Sequence, residues 1–235
     1  MHTIFNVWEG DSMNVAYFRP RRDGPEALVE NAVASQIQNL FARGDNSLWT
    51  AGSLPIGAGM PDLVVVSSEP QVIVLAQVEI PTAHILAYLR AVGCAKLETI
   101  IERVGMPQKT TMRYLNDLVE VKAVSKSDNT YSLPPIWREI LPEIITIEVK
   151  VKNWRRAVEQ AARNRIFAHR SFVAIPENVA QRVKSEPILG KFGIGLLSVA
   201  DDHTVSVLRR PRRGKPRVWT YYYEIASIVA RHSRA

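Results

Sequence analysis

The chain has 235 residues and a net charge of +7, from 30 Lys and Arg against 23 Asp and Glu, and it contains one cysteine. A lone cysteine excludes an intrachain disulfide framework and fits a reducing, cytoplasmic compartment. No apolar run reaches the roughly 20 residues of a bilayer span, and the opening residues lack a charged-then-apolar leader, so no membrane or secretory route is expected. The positive balance favours polyanions, nucleic acid first, over acidic protein surfaces; a solvated basic face satisfies the same charge.

The first twenty residues carry little pattern. Pro25 stands where a first helical turn tolerates proline, and Val29, Val33, Ile37, Leu40 and Phe41 then recur at helical spacing until Gly44, Asp45 and Asn46. Glu26 and Glu30 lie one turn apart beside that stripe. A short strand over 48–51 is expected next, then a turn through Gly57, Ala58 and Gly59 into a strand from Asp62 to Val66. Val72 to Ile80 reads as a further strand, making 48–80 a meander.

From Thr82 to Pro135 the pattern changes to a small helical unit. Ile85, Leu86 and Leu89 fit a first helix, and Leu97, Ile100 and Ile101 fit a second that breaks at Val104-Gly105-Met106-Pro107. Gln108 to Val119 forms a third, and a hairpin follows, with strands 122–125 and 130–133 joined through Ser127, Asp128 and Asn129. Three helices and a terminal hairpin resemble a winged helix-turn-helix domain. By that resemblance Gln108, Lys109, Thr110, Thr111 and Arg113 face DNA, while Lys122 and Lys126 on the hairpin touch phosphates. A helical insertion used for dimerisation or protein contact has the same outline.

Beyond a linker near Trp137 and Pro142, Ile144-Ile145-Thr146-Ile147-Glu148-Val149-Lys150 places an acid and a lysine two residues apart in a β-branched run. Strand side chains alternate with period two, so one face carries both. Packing gives no reason to hold unpaired charge there. A helix over 153–169 follows, with Trp154, Ala157, Val158, Ala161 and Ala162 on one side and Arg155, Arg156, Arg163 and Arg165 on the rest. Strands over 171–175, 195–199 and 205–208 come next, then a basic stretch to Arg217 and a closing helix near 222–230.

Asp62 opens one apolar strand and Glu148 interrupts another. Oxygen donors so placed suit a hard cation such as Mg²⁺ or Mn²⁺, with the Val149 carbonyl, water and a phosphate oxygen completing the shell. Lys150 would hold an attacking water or offset charge on the phosphate, which is phosphodiester hydrolysis. An ion pair at a sheet edge is the plainer reading of the same residues.

Pro61-Asp62 and Glu148-Val149-Lys150 resemble the two motifs of the PD-(D/E)XK nuclease superfamily. The resemblance implies an α/β, restriction-endonuclease-like core: a central mixed sheet flanked by helices, formed by 1–81 and 136–235, with the winged unit inserted at 82–135. It also implies a further acid on the first helix, for which Glu30 is chosen with Glu26 as substitute, and a glutamine on the helix after the lysine, matched by Gln160. Branches carrying that glutamine place tyrosine four residues later, where this chain has Asn164. The separation of Asp62 from Glu148 exceeds the usual spacing, and an insertion accounts for it.

Arg209, Arg210, Arg212, Arg213, Lys215 and Arg217, interrupted by Pro211, Gly214 and Pro216, form the densest positive run. It reads as a mobile loop that would bind phosphates without sequence preference. Tyr221, Tyr222 and Tyr223 beside it suit base stacking or packing of the closing helix. The expected function is a Mg²⁺-dependent nuclease acting on DNA, double-stranded by the winged helix. Its alternative is a non-cleaving DNA-binding regulator on a nuclease-like scaffold, and a third reading is an interaction protein. A homodimer would bring two sites to the two strands of a duplex.

Overall fold

The computed structural model describes residues 6–10, 13–20, 23–42, 48–57 and 59–233. The expected helix stop at Gly44, Asp45 and Asn46 falls outside them. The chain opens with a hairpin, β1 (Asn6–Gly10) and β2 (Met13–Tyr17), where composition gave no expectation. Pro25 then starts α1 (Pro25–Ser35), which breaks at Gln36 before α2 (Ile37–Phe41). β3 (Leu48–Gly52) and β4 (Leu63–Ser67) follow as an antiparallel pair.

After Ser67 the chain builds a second compact unit before returning. Pro70–Gln77 and Ile80–Thr82 are 3-10 turns, not the expected strand over 72–80. Buried Val72, Leu75 and Val78 recur every three residues, which is the 3-10 repeat rather than the alternation of a strand. The unit continues through α3 (Ala83–Val92), β5 (Cys94–Lys96), α4 (Leu97–Val104), α5 (Gln108–Glu120), β6 (Ser125–Ser127) and β7 (Thr130–Ser132). The three strands form a small antiparallel sheet in the order β5-β7-β6. Cys94, which opens β5, is exposed.

Glu143 begins β8 (Glu143–Val149), followed by α6 (Trp154–Asn164), β9 (Arg170–Pro176), α7 (Glu177–Val183), α8 (Pro187–Phe192), β10 (Gly195–Val199) and β11 (Val205–Arg209). These complete an eight-stranded mixed sheet in the order β1-β2-β3-β4-β8-β9-β10-β11. β4 lies antiparallel to both its neighbours, β3 and β8, and β9 runs parallel to β8.

Alternate residues of the central strands feed two cores. Ile145, Ile147 and Val149 of β8, with Phe172 and Ala174 of β9, pack with Val29, Val33 and Ile37 of α1 and α2. Val173 and Ile175 point the other way, onto Ala157, Val158 and Ala161 of α6 and onto α7 and α8. Burial on both faces is why these strands read as continuous apolar runs.

The last helix, α9 (Trp219–His232), belongs to the second unit, which comprises 68–142 and 218–235. The expected boundaries, 81/82 and 135/136 with the closing helix in the first domain, differ from this division. α9 is committed by polar contacts as well as apolar ones. The buried Tyr222 hydroxyl accepts from the Leu141 N–H at 2.7 Å and donates to the Leu141 carbonyl at 3.2 Å. Tyr223 donates to the Trp137 carbonyl at 2.9 Å. Burial raises both phenol pKa values, so the hydroxyls remain protonated.

In the first unit, Tyr17 of β2 is fully buried and its ring lies over Gly52 of β3, the residue across the ladder. A Cβ on Gly52 would stand 2.1 Å from the Tyr17 ring. Gly52→Ala is therefore expected to lower stability by about 1–3 kcal/mol, the usual consequence of overpacking, read as a lower midpoint in chemical denaturation. An unchanged midpoint would show that the ring has another place to go.

Candidate active site

The site arises from register. β4 and β8 pair with Leu63 opposite Ile147. One further step along the ladder sets Asp62 beside Glu148, and the Asp62 carboxylate accepts a hydrogen bond from the Val149 N–H at 2.7 Å. Lys150 stands just past the end of β8. Its Nζ donates to the Val149 carbonyl at 2.7 Å, lies 3.3 Å from Glu26 of α1 and is 3.7 Å from Asp62. Asp62, Glu148 and Lys150, separated by more than eighty residues of chain, thus meet at one end of two adjacent strands.

Glu148 faces α6 because Ile147 and Val149 occupy the opposite core. It is 2 % exposed. α6 starts immediately behind the strand because Asn153 adopts a left-handed conformation, φ 55°, and caps the helix by accepting from the Arg156 N–H. At the other end of α6, Asn164 donates from its carboxamide to Glu148 Oε1 at 2.7 Å. The other oxygen, Oε2, is buried with no hydrogen-bond partner among the described residues, and so is Oε1 of Gln160, one turn before Asn164.

Burial raises the pKa of both acids. For Glu148 it combines with the neighbouring Asp62 charge and outweighs Asn164, Lys150 and Arg163, pushing the carboxyl up to about 8. For Asp62 burial is partly offset by Lys150 and by the Val149 N–H. A buried acid with an unsatisfied oxygen beside a second carboxylate is the donor set a hard cation relieves. Asp62, Glu148 and the Val149 carbonyl fit Mg²⁺ or Mn²⁺ in that sense, since Mg²⁺ often takes one or two carboxylates and fills its shell with water and phosphate. The Val149 carbonyl retains a lone pair beside the Lys150 bond. Among the described residues no three His, Cys, Asp or Glu side chains form a ready cage.

Of the two acids considered on α1, Glu26 is the one that reaches Lys150. Glu30, the acid chosen first, accepts from the Tyr17 hydroxyl at 2.6 Å. Arg155 and Arg156 are exposed on α6, with Arg155 over the Trp154 ring at 4.5 Å.

The basic stretch is loop, as expected, but it is pinned. Arg165 donates to the carbonyls of Gly193 and Arg212, and the N–H groups of Arg212, Gly214 and Arg217 bond Gly193, His169 and Ile166. Burial and the charges of Arg212 and Arg217 lower the Arg165 pKa. Arg210, Arg212 and Arg213 are exposed, whereas Arg209 ends β11 half-buried. Arg213 lies 3.7 Å from Glu143, at the opposite end of β8 from Glu148. At about 3.3 Å per residue the loop therefore sits on the order of 17 Å from the carboxylates and forms no part of their immediate surroundings.

In the second unit Gln108, Lys109 and Arg113 are exposed on α5 and Thr110 is half-buried. Thr111 is fully buried and bonds the Pro107 carbonyl, so it does not face outward as expected. Arg113 is ion-paired with Glu79 at 2.8 Å. Lys122 lies in the turn before β6, at φ 60°, and Lys126 is on β6. Tyr222 and Tyr223 are buried and cannot stack bases. No single helix among the described residues is long and apolar enough to cross a membrane.

Sequence reasoning missed Asn164 as the partner of Glu148, having treated it only as a departure from tyrosine. The available signal was its position one turn after Gln160, on the face of α6 that looks at β8.

The raised Glu148 pKa has a measurable sign. A folded-state pKa above the usual value stabilises the fold at low pH, and that contribution is lost as pH rises from about 4.5 through about 8. Without divalent metal, the protein is expected to be less stable at pH 8.5 than at pH 6. Glu148→Gln, which keeps an acceptor for Asn164, is expected to remove most of that difference in thermal melts. An equal pH slope in the variant would show that Glu148 is not the titrating group.

Compared with known proteins, the chain matches no protein-family model, no curated protein and no solved structure.

Proposed function

We propose that the chain is a metal-dependent nuclease that hydrolyses phosphodiester bonds in DNA, with a restriction-endonuclease-like catalytic unit of the PD-(D/E)XK type and a winged unit that holds the duplex. The observation that carries this reading is the meeting of Asp62, Glu148 and Lys150 at the shared end of β4 and β8. The order helix, three antiparallel strands, helix, parallel strand, realised by α1, β3, β4, β8, α6 and β9, supports it. The succession α3-β5-α4-α5-β6-β7 likewise supports a winged helix, with β5 supplying the strand that pairs with the hairpin.

Mg²⁺ or Mn²⁺ held by Asp62, Glu148 and the Val149 carbonyl would supply Lewis acidity toward a phosphate oxygen and a bound water of lowered pKa. The protein's part is positional. The Val149 N–H fixes one oxygen of Asp62, and Asn164 fixes one oxygen of Glu148, so the remaining oxygens are oriented before any ligand arrives. Glu148 must give up a proton to act as a ligand, which makes cation binding weaken as pH falls below about 8. Lys150 holds its ammonium beside Asp62 and the Val149 carbonyl, where it can orient an attacking water and stabilise charge developing on phosphate.

The test is incubation of supercoiled plasmid and single-stranded DNA with Mg²⁺ or Mn²⁺. Metal-dependent cleavage is expected, and Lys150→Ala should slow it by at least about 100-fold, the scale of a lost electrostatic contact, with DNA binding retained. Undiminished cleavage by the variant removes the role given to Lys150. Duplex binding with no cleavage under any metal leaves the non-cleaving DNA-binding regulator instead.

A further inference from the structure

We propose that α5 reads A·T base pairs through the row Gln108, Met112 and Asn116, and that Glu79 withholds Arg113 from guanine. The proposal rests on the DNA-binding reading above and adds the base preference of the second unit. Residues at i, i+4 and i+8 share one helix face, and all three are exposed, Met112 at 41 %. The opposite side of α5, with Thr111, Tyr114, Leu115 and Leu118, is committed to the unit's interior.

An exposed methionine between two carboxamides lines an open depression of about 600 Å³, with Lys109, Arg113 and Asp117 alongside. The chemistry of these groups is particular. Carboxamides bond adenine at N6 and N7 in the major groove, and apolar groups contact the thymine methyl, whereas guanine is most often read by arginine. The arginine of this helix, Arg113, borders the same depression but is ion-paired with Glu79. Glu79 pairs with Arg113 through Oε1 at 2.8 Å and accepts the Tyr114 hydroxyl through Oε2 at 2.9 Å, while the Arg113 guanidinium lies 4.9 Å over the Tyr114 ring. Because the Tyr114 ring is buried, Glu79 is anchored on one side and holds Arg113 with the other. An ion pair at this level of exposure is weak on its own, and the tyrosine is what fixes its geometry. Lys109, a compact charge, suits phosphate.

The experiment selects duplexes from a random library with the full chain in EDTA, so that cleavage does not intervene, and then measures binding by fluorescence anisotropy at fixed salt. The enriched core is expected to be A·T-rich, with replacement by G·C weakening binding about tenfold. Asn116→Ala should reduce that ratio to within about twofold while leaving the salt dependence unchanged, because phosphate contacts set the salt slope. Glu79→Gln should raise guanine at one position of the core. Enrichment of G·C, or retention of duplex with no compositional bias, overturns the base preference while leaving duplex binding intact. Absence of any duplex retention at low salt overturns the preference together with the DNA-binding reading.

Discussion

The hydrogen bond from the Val149 N–H to the Asp62 carboxylate is the constraint on which the candidate site depends. It ties the start of β4 to the end of β8, at the point where the ladder between them stops. The last backbone donor of a central strand would otherwise face a loop, and a side-chain carboxylate satisfies it. In doing so the carboxylate is brought beside Glu148 and Lys150. The packing of β8 follows the same logic: its odd-numbered residues fill the core under α1, which leaves Glu148 to the α6 side, where Asn164 meets it.

The electrostatics of this corner are unbalanced as they stand. A buried carboxylate, Glu148, and a half-buried one, Asp62, share this corner with one lysine, and that lysine is also drawn to Glu26. Burial of Glu148 is stabilising only while it carries a proton, so the fold in the absence of a cation is held at the expense of the ionised form. Such tension is a common property of sites that bind or react. Here it coincides with an unsatisfied Glu148 oxygen and an unsatisfied Gln160 oxygen on the helix behind it.

Much of this was legible from residue types. Glu148 and Lys150 stood out because β-branched runs have no packing use for charge, and Asp62 because it opened another such run. The helices of the second unit were legible because their buried positions keep helical spacing. The 3-10 segment at 70–77 was not, since a short apolar run reads as a strand until its three-residue spacing is noticed. β5 has three residues, two of them exposed, and carries no alternation to detect. Which of Glu26 and Glu30 contacts Lys150 is not legible by pattern, because both lie on the same helix face; in the fold Glu26 meets Lys150 and Glu30 accepts from Tyr17. The allegiance of α9 depends on tyrosine hydroxyls meeting carbonyls more than eighty residues away, a relation no local window contains.

That last relation bears on how the second unit is bounded. A fragment ending at Pro142 would keep every helix and strand of 68–142 yet lose the hydroxyls that bond the Leu141 amide and carbonyl and the Trp137 carbonyl. It would also bare the apolar flank of α3 that α9 covers. The first turn of α9 therefore acts as a clasp, closing a module whose other parts lie some eighty residues earlier in the sequence, and the module is whole only once α9 has been made.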